Sequence, residues 1–225
     1  MTLHRAPSAP PDSTDRTAGA GNAAMSPRQA LLGRIVADST DRIGWLRARA
    51  QGVTATDVAK LSTPASVQAA VKAKFQGSRF GGSAFTEHGK VREPHIARWV
   101  LEQHGIHSSS QLFHAAGDRR HLATPDGVGF LHNGEPMLAE IKTTVKPFRT
   151  VPRPYLRQIW WQQYVLGAER TLFVWEEHRD FVPVHSEPQC RWIERDEKEV
   201  AKLVGLANQL LDGIAARLAI EVEPW

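Results

Sequence analysis

Cysteine is nearly absent from this chain: Cys190 is the only one among 225 residues. One thiol cannot close an internal disulfide, and it excludes a cysteine-rich zinc site and a four-cysteine iron–sulfur cluster. A reducing, cytoplasmic compartment fits that usage. Long apolar runs are also missing. No stretch approaches the roughly 20 apolar residues of a membrane-spanning helix, and the N-terminus lacks the apolar core of a secretory signal. No membrane partner is therefore expected. Acidic residues are missing from two windows. None lies between Asp57 and Glu87, which enclose Lys60, Lys72, Lys74 and Arg79. None lies between Glu140 and Glu169, which enclose Lys142, Lys146, Arg149, Arg153 and Arg157. A net charge of +4 and a pI near 9.5 are too modest to name a partner. Such one-sided stretches suit a phosphate backbone, and equally a pair of solvated basic faces.

What remains is ordinary globular composition, with 41% hydrophobic and 23% charged residues. The length is enough to bury one sizeable core. Residues 1–25, rich in Ala, Pro, Ser, Thr and Gly, are expected to be a disordered tail ahead of a single domain over 26–225. Ser26-Pro27-Arg28-Gln29 reads as an N-cap, a first-turn proline and a capping-box glutamine. The apolar positions from Leu31 to Leu46 predict a helix running, with a break, towards Arg49. A second helix is expected from Thr63-Pro64 to about Phe75, followed by a glycine-rich turn from Gly77 to Gly82. A third is expected from about Thr86 to His104, with Gly105 as its C-cap and a kink or fresh start at Pro94. The period then changes. Gln111–Ala115, His121–Thr124, Val128–Leu131 and Met137–Thr143 read as strands. An aromatic-rich helix spans Arg153–Leu166. Three more strands (Thr171–Trp175, Phe181–His185, Cys190–Ile193) and a long helix from about Asp196 to Leu218 follow. This order predicts an α/β (α+β) domain, a central mixed sheet flanked by helices.

Chemistry concentrates between Thr124 and Lys142. Two-residue periodicity puts Glu140 and Lys142 on one face of a strand, with Ile141 on the other. Asp126, in a Pro-Asp-Gly turn just before, can approach that face. Two carboxylates there make a hard oxygen site suited to Mg²⁺ or Mn²⁺, to which the Ile141 carbonyl can add a ligand. Such an ion polarises a phosphoryl oxygen and activates water, and an adjacent lysine neutralises developing charge. Glu-x-Lys and Pro-Asp-Gly are each commonplace, so the pattern alone is equally consistent with a surface hairpin. A histidine base among His88, His95 and His121 is the weaker rival for the proton chemistry.

The ordered motifs go further. Trp45-Leu-Arg-Ala-Arg49 is followed by Gly52-Val-Thr-Ala-Thr-Asp-Val58. Then come Gly89-Lys-Val-Arg-Glu93, Pro125-Asp126-Gly127, Glu140-Ile141-Lys142, Tyr155-Leu-Arg-Gln158 and Ile193-Glu-Arg-Asp-Glu-Lys198. In this order they resemble the lambda-type exonuclease and YqaJ-type viral recombinase family, a branch of the PD-(D/E)XK nucleases with a restriction-endonuclease-like core. The resemblance implies hydrolysis of DNA with two metal ions. Asp126, Glu140 and the Ile141 carbonyl would hold metal, Lys142 would act on the water, and Glu93 would support the site. Glu87 and Glu102 are the neighbouring acids that compete with Glu93 for that role. Arg49, Thr56, Thr124 and Gln158 would line a 5′-phosphate site, for which a guanidinium is well shaped. It further implies a 5′→3′ exonuclease resecting double-stranded DNA for phage-type recombination, in a phage or prophage setting. A homotrimer and a single-strand-annealing partner go with that reading. The alternatives are a structure-selective or single-strand nuclease in repair or defence, and a non-catalytic DNA-binding protein on the same scaffold. Where relatives often carry a second glutamine two residues after the first, this chain has Trp160, with Gln162 and Gln163 further along.

Overall fold

Ser26 Oγ accepts the Gln29 amide at 3.2 Å, and the Gln29 side chain accepts the Ser26 amide at 3.0 Å. The capping box therefore starts α1 (Pro27–Leu32) where the sequence places it. The computed structural model describes residues 25–76 and 83–222. Residues 1–24 of the expected tail and the glycine turn at 77–82 lie outside them.

The helix expected as far as Arg49 is corrected. Its break is a strand, β1 (Ile35–Asp38), and the chain re-enters helix only at α2 (Arg42–Ala50). β-Branched Ile35 and Val36 favour the extended form, and Asp41 recaps the chain by accepting the Gly44 amide at 3.0 Å. β2 (Val53–Thr54), α3 (Ala55–Val58) and α4 (Pro64–Gln76) follow. α5 (Ala84–His104) runs without interruption through Pro94, so no fresh helical start occurs there. The lost backbone bond is offset by burial of Ile96, Ala97 and Val100 on the helix face just beyond it. Gly105, at φ 66°, closes the helix in the left-handed conformation, as expected of a glycine C-cap.

The remaining elements are β3 (His107–Ser108), β4 (Gln111–His114), β5 (His121–Ala123), β6 (Gly127–Phe130) and β7 (Pro136–Thr144), then α6 (Arg153–Leu166). β8 (Arg170–Arg179), β9 (Val182–Pro183), β10 (Gln189–Glu194) and α7 (Glu197–Val222) complete the chain.

Two sheets result. The larger has the order β10-β8-β7-β6-β3, with β9 beside β8. β7 and β8 are parallel and the other pairs antiparallel, so the sheet is mixed. The smaller has the order β1-β4-β5-β2. The expectation of a central mixed sheet between helices holds for the larger one. On one face α5 buries Ile96, Ala97 and Val100 against Ala139, Ile141, Leu172 and Val174. On the other, Ile159 of α6 packs on Phe173 and Trp175, while Trp161 and Val165 join Leu138 and α7 residues Leu203 and Leu210. Arg34 ties the smaller sheet to α6. Its guanidinium donates to the carbonyls of His114 (3.1 Å), Val165 (2.6 Å) and Leu166 (3.0 Å), filling acceptors that the C-terminus of α6 would leave open.

Among the described residues, no helix is long and apolar enough to cross a membrane.

Candidate active site

β7 is paired on both sides, antiparallel to β6 and parallel to β8, which fixes its pleat. Ile141 accordingly faces α5, while Glu140 and Lys142 face α6. Gly127 pairs with Ala139, and continuing that register one step sets Asp126 beside Glu140. Asp126 occupies the crossover from β5 in the small sheet to β6 in the large one. It is held at both ends. Its Oδ2 accepts the Ile141 amide at 2.7 Å, and its carbonyl accepts the Ser109 amide at 3.0 Å.

Glu140 is fully buried. Lys142 Nζ and Gln158 Nε2 (2.5 Å) both donate to its Oε1, and Gln162 Nε2 donates to its Oε2 at 2.7 Å. Gln158 and Gln162 stand one helical turn apart on α6, so both amides reach the same strand. The Lys142 ammonium also lies 5.5 Å from the centre of the Tyr155 ring. Burial opposes its charge, but Glu140 and Asp126 outweigh burial and hold the ammonium well above its ordinary value. Asp126 shows the reverse: burial first, then Glu140, push its carboxyl up to about 8 despite Lys142 and the Ile141 amide. Glu93, on α5, is also raised by burial, with Lys142 lowering and Glu140 raising it, so it belongs to the same electrostatic group. Three carboxyl groups thus share one ammonium.

That imbalance favours a divalent cation. The donors are all oxygen, which suits a hard ion, and the crowded carboxyls lack positive charge. The residues fit such an ion. They do not form a finished cage: among the described residues no three His, Cys, Asp or Glu side chains are gathered as a complete set of ligands. Both Glu140 oxygens are also occupied by protein donors, so an ion there must displace or share with one of them.

The expected 5′-phosphate residues are less closely grouped. Gln158 bonds Glu140. Thr124 lies two residues before Asp126, and its buried hydroxyl finds no partner among the described residues. Arg49 is half-buried, with its guanidinium 4.3 Å from the Trp45 ring centre. Burial lowers its pKa while Asp57 raises it. Thr56 is exposed on α3, which packs on α6. Arg157 Nε fastens those two helices by donating to the Ala59 carbonyl at 2.9 Å. No described contact joins Arg49 or Thr56 to the carboxylates.

The histidines fall elsewhere. His121 is buried between Tyr164 (3.0 Å) and Asn208 (3.1 Å), His88 packs on His178 with ring centres 4.3 Å apart, and His95 is exposed. Sequence reasoning did not assign Gln162 to Glu140. The signal available was its four-residue spacing from Gln158.

A mixed sheet whose central strand carries Glu140 and Lys142, with Asp126 entering from the adjoining strand, is the PD-(D/E)XK nuclease architecture. Solved structures share the fold. An alkaline exonuclease from Laribacter hongkongensis superposes with a TM-score of 0.59 at 24% identity, covering 78% of this chain and 94% of that one. The same enzyme in complex with dAMP gives a TM-score of 0.60 at 24% identity, with the same coverage. A phage-related exonuclease from Haemophilus somnus 129PT gives 0.61 at 10% identity, covering 76% and 96%. No curated protein matches the chain. Residues 44–169 match the model of the YqaJ-like viral recombinase domain, and the chain belongs to that family.

Proposed function

We propose that this protein is a metal-dependent deoxyribonuclease, a 5′→3′ exonuclease that resects double-stranded DNA for phage-type recombination. The observation that carries the reading is the convergence of Asp126, Glu140 and Lys142 at the central strand of the larger sheet, two carboxyl groups to one ammonium. Asp126, Glu140 and the Ile141 carbonyl would hold Mg²⁺, or Mn²⁺ in its place, and two ions accord with the family resemblance. Bound there, the metal would supply Lewis-acid stabilisation of the phosphate and acidification of water.

The chain's own groups divide the rest. Lys142 orients the attacking water and offsets the charge that builds on the phosphoryl oxygens. Gln158 and Gln162 hold the Glu140 carboxylate in place, and Glu93 adds negative charge from α5. The water oxygen bonds to phosphorus, the P–O bond to the departing sugar breaks, and that oxygen leaves with a proton. Arg49, Thr56, Thr124 and Gln158 receive the 5′-terminal phosphate, Gln158 being the one of them that also bonds Glu140. A homotrimer around DNA and a single-strand-annealing partner complete the reading.

End-labelled linear duplexes with and without a 5′-phosphate, incubated with Mg²⁺ or EDTA, test it. The expected result is stepwise release of mononucleotides from phosphorylated 5′ ends, abolished by EDTA. Rapid digestion of closed circular DNA would defeat the exonuclease reading in favour of a structure-selective nuclease. Binding without cleavage under all conditions would make it a DNA-binding scaffold. Sedimentation with and without duplex DNA tests the trimer.

A further inference from the structure

Tyr155, Gln158 and Gln162 follow one another at helical spacing on α6, so they share the face that lies over β7. The two glutamines bond Glu140. The tyrosine meets Lys142, whose ammonium stands over its ring, 5.5 Å from the centre. That is inside the roughly 6 Å at which the electron-rich face of a ring attracts a cation. Chain direction makes the match. β7 and β8 are parallel, so α6 runs back across the sheet between them, and the earlier helix residue meets the later strand residue.

The ring is itself fixed. The Tyr155 amide donates to the Pro152 carbonyl at 2.9 Å in the first turn of α6. Phe148 meets the ring edge-on at 5.9 Å, and Phe173 lies 6.0 Å away. Phe173 in turn stacks on Trp175 at 5.5 Å. These two β8 residues are the register partners of Glu140 and Lys142. A row of aromatic rings on β8 thus stands beside the charged pair on β7, and Tyr155 touches both.

The ammonium has use for such a contact. Among the described residues it makes one hydrogen bond, to Glu140 Oε1. Glu140 is also the carboxylate expected to hold metal. Once it does so, the ammonium shares that acceptor and gains a like charge beside it. A ring face keeps its attraction, and it leaves the remaining N–H donors to water and phosphoryl oxygens. We propose that Tyr155 is a positioning residue, whose ring face holds the Lys142 ammonium at the reacting phosphate while its N–H donors stay free. This rests on the nuclease reading above, but the contact between ring and ammonium can be tested apart from cleavage.

The test places phenylalanine and its 4-fluoro, 3,5-difluoro and 3,4,5-trifluoro derivatives at position 155 of the full chain. Fluorine draws electron density off the ring face and weakens its hold on a cation stepwise, with little change of shape. Cleavage of a 5′-phosphorylated duplex with Mg²⁺, and Tm in EDTA, are measured for each. Tyr155→Phe keeps the ring face, so it should cut within about twofold of the wild type. From phenylalanine to the trifluoro form kcat should fall in steps, by about three- to thirtyfold in all, the range of one such contact. KM should stay within about twofold, the pattern of an interaction made in the transition state. Tm should fall in the same order, by about 2–8 °C in all. In a protein that cuts DNA, a kcat indifferent to fluorination overturns the positioning role. A Tm indifferent to it overturns the contact. A folded Tyr155→Phe that no longer cuts makes the phenol the working group and overturns the proposal as well. A graded Tm with no cleavage by the wild type overturns the nuclease reading and leaves the contact standing.

Discussion

Glu140 carries more of the site than its spacing suggests, because a buried carboxylate needs donors for both oxygens. Lys142, Gln158 and Gln162 supply them. Removing the carboxylate altogether would strand those donors, so Glu140→Gln is the informative change. It should lower the cleavage rate by at least about 10²–10³-fold, the scale of losing one key electrostatic group, with a circular dichroism spectrum like the wild type. Lys142→Ala should abolish cleavage too, and should also destabilise the fold by about 3 kcal/mol, because Glu140 would be left buried and unpaired. Equal cleavage by both variants and the wild type would remove these residues from the reaction. The metal has its own readout: Mg²⁺ should raise the Tm of the wild type and not that of Asp126→Asn, as ligand linkage requires. Glu140 and Lys142 were legible as neighbours because a strand's period sets their common face; Asp126 reaches them through the crossover from β5 to β6. Gln162 was not, since its role depends on how α6 docks over β7, a tertiary fact. Thr124 was named from resemblance alone; its buried hydroxyl has no partner among the described residues.

Elements were legible where period and punctuation agreed. Arg153–Leu166, bounded by Pro152 and by Gly167 at φ 77°, was read with its observed ends. The stretch from Leu31 to Leu46 misled because its apolar residues satisfy a helical period, while β1 is a strand only through its pairing with β4. β2, α3 and β3 were missed for a related reason. Each is two to four residues long, too short for any period to register. Pro94 argued for a kink or fresh start, yet packing of α5 on the sheet carries one uninterrupted helix through it. Arg34, whose role no pattern announces, joins α6 to the small sheet through three carbonyls. Arg34→Met should cost roughly 1–3 kcal/mol, the penalty for leaving buried acceptors unpaired. For a protein of this size that is a fall of about 2–4 °C in Tm per kcal/mol. A Tm equal to the wild type would show that water replaces the guanidinium.

The whole molecule should also report its buried histidine through pH. Burial, the largest influence, lowers the His121 pKa below 6.5, while Asp118 and Asn208 act against it. The unfolded chain then takes up a proton before the folded one, so His121 costs stability as pH falls through about 6.5. Asp118 acts lower down. Its bond to Arg120 holds it at about 2, so its contribution is full above 3.8 and drains away between those values. Denaturation midpoints should therefore decline from pH 7 to 5 in the wild type and decline less in His121→Gln, with a second decline below pH 4 in both. A parallel decline in the two proteins between pH 7 and 5 would assign that loss to other groups.

The division into two sheets has a consequence for how the molecule loosens. β7 lies between two paired neighbours in the larger sheet, whereas α2 and α3 flank β2, at the edge of the smaller one. Brief opening of that small sheet would displace the Arg49 and Thr56 region while Asp126, Glu140 and Lys142 kept their shape. Amide exchange should accordingly be slow at 139–143 and faster at 42–58; if 42–58 holds a DNA terminus as proposed, that grip would fail on warming before cutting power does.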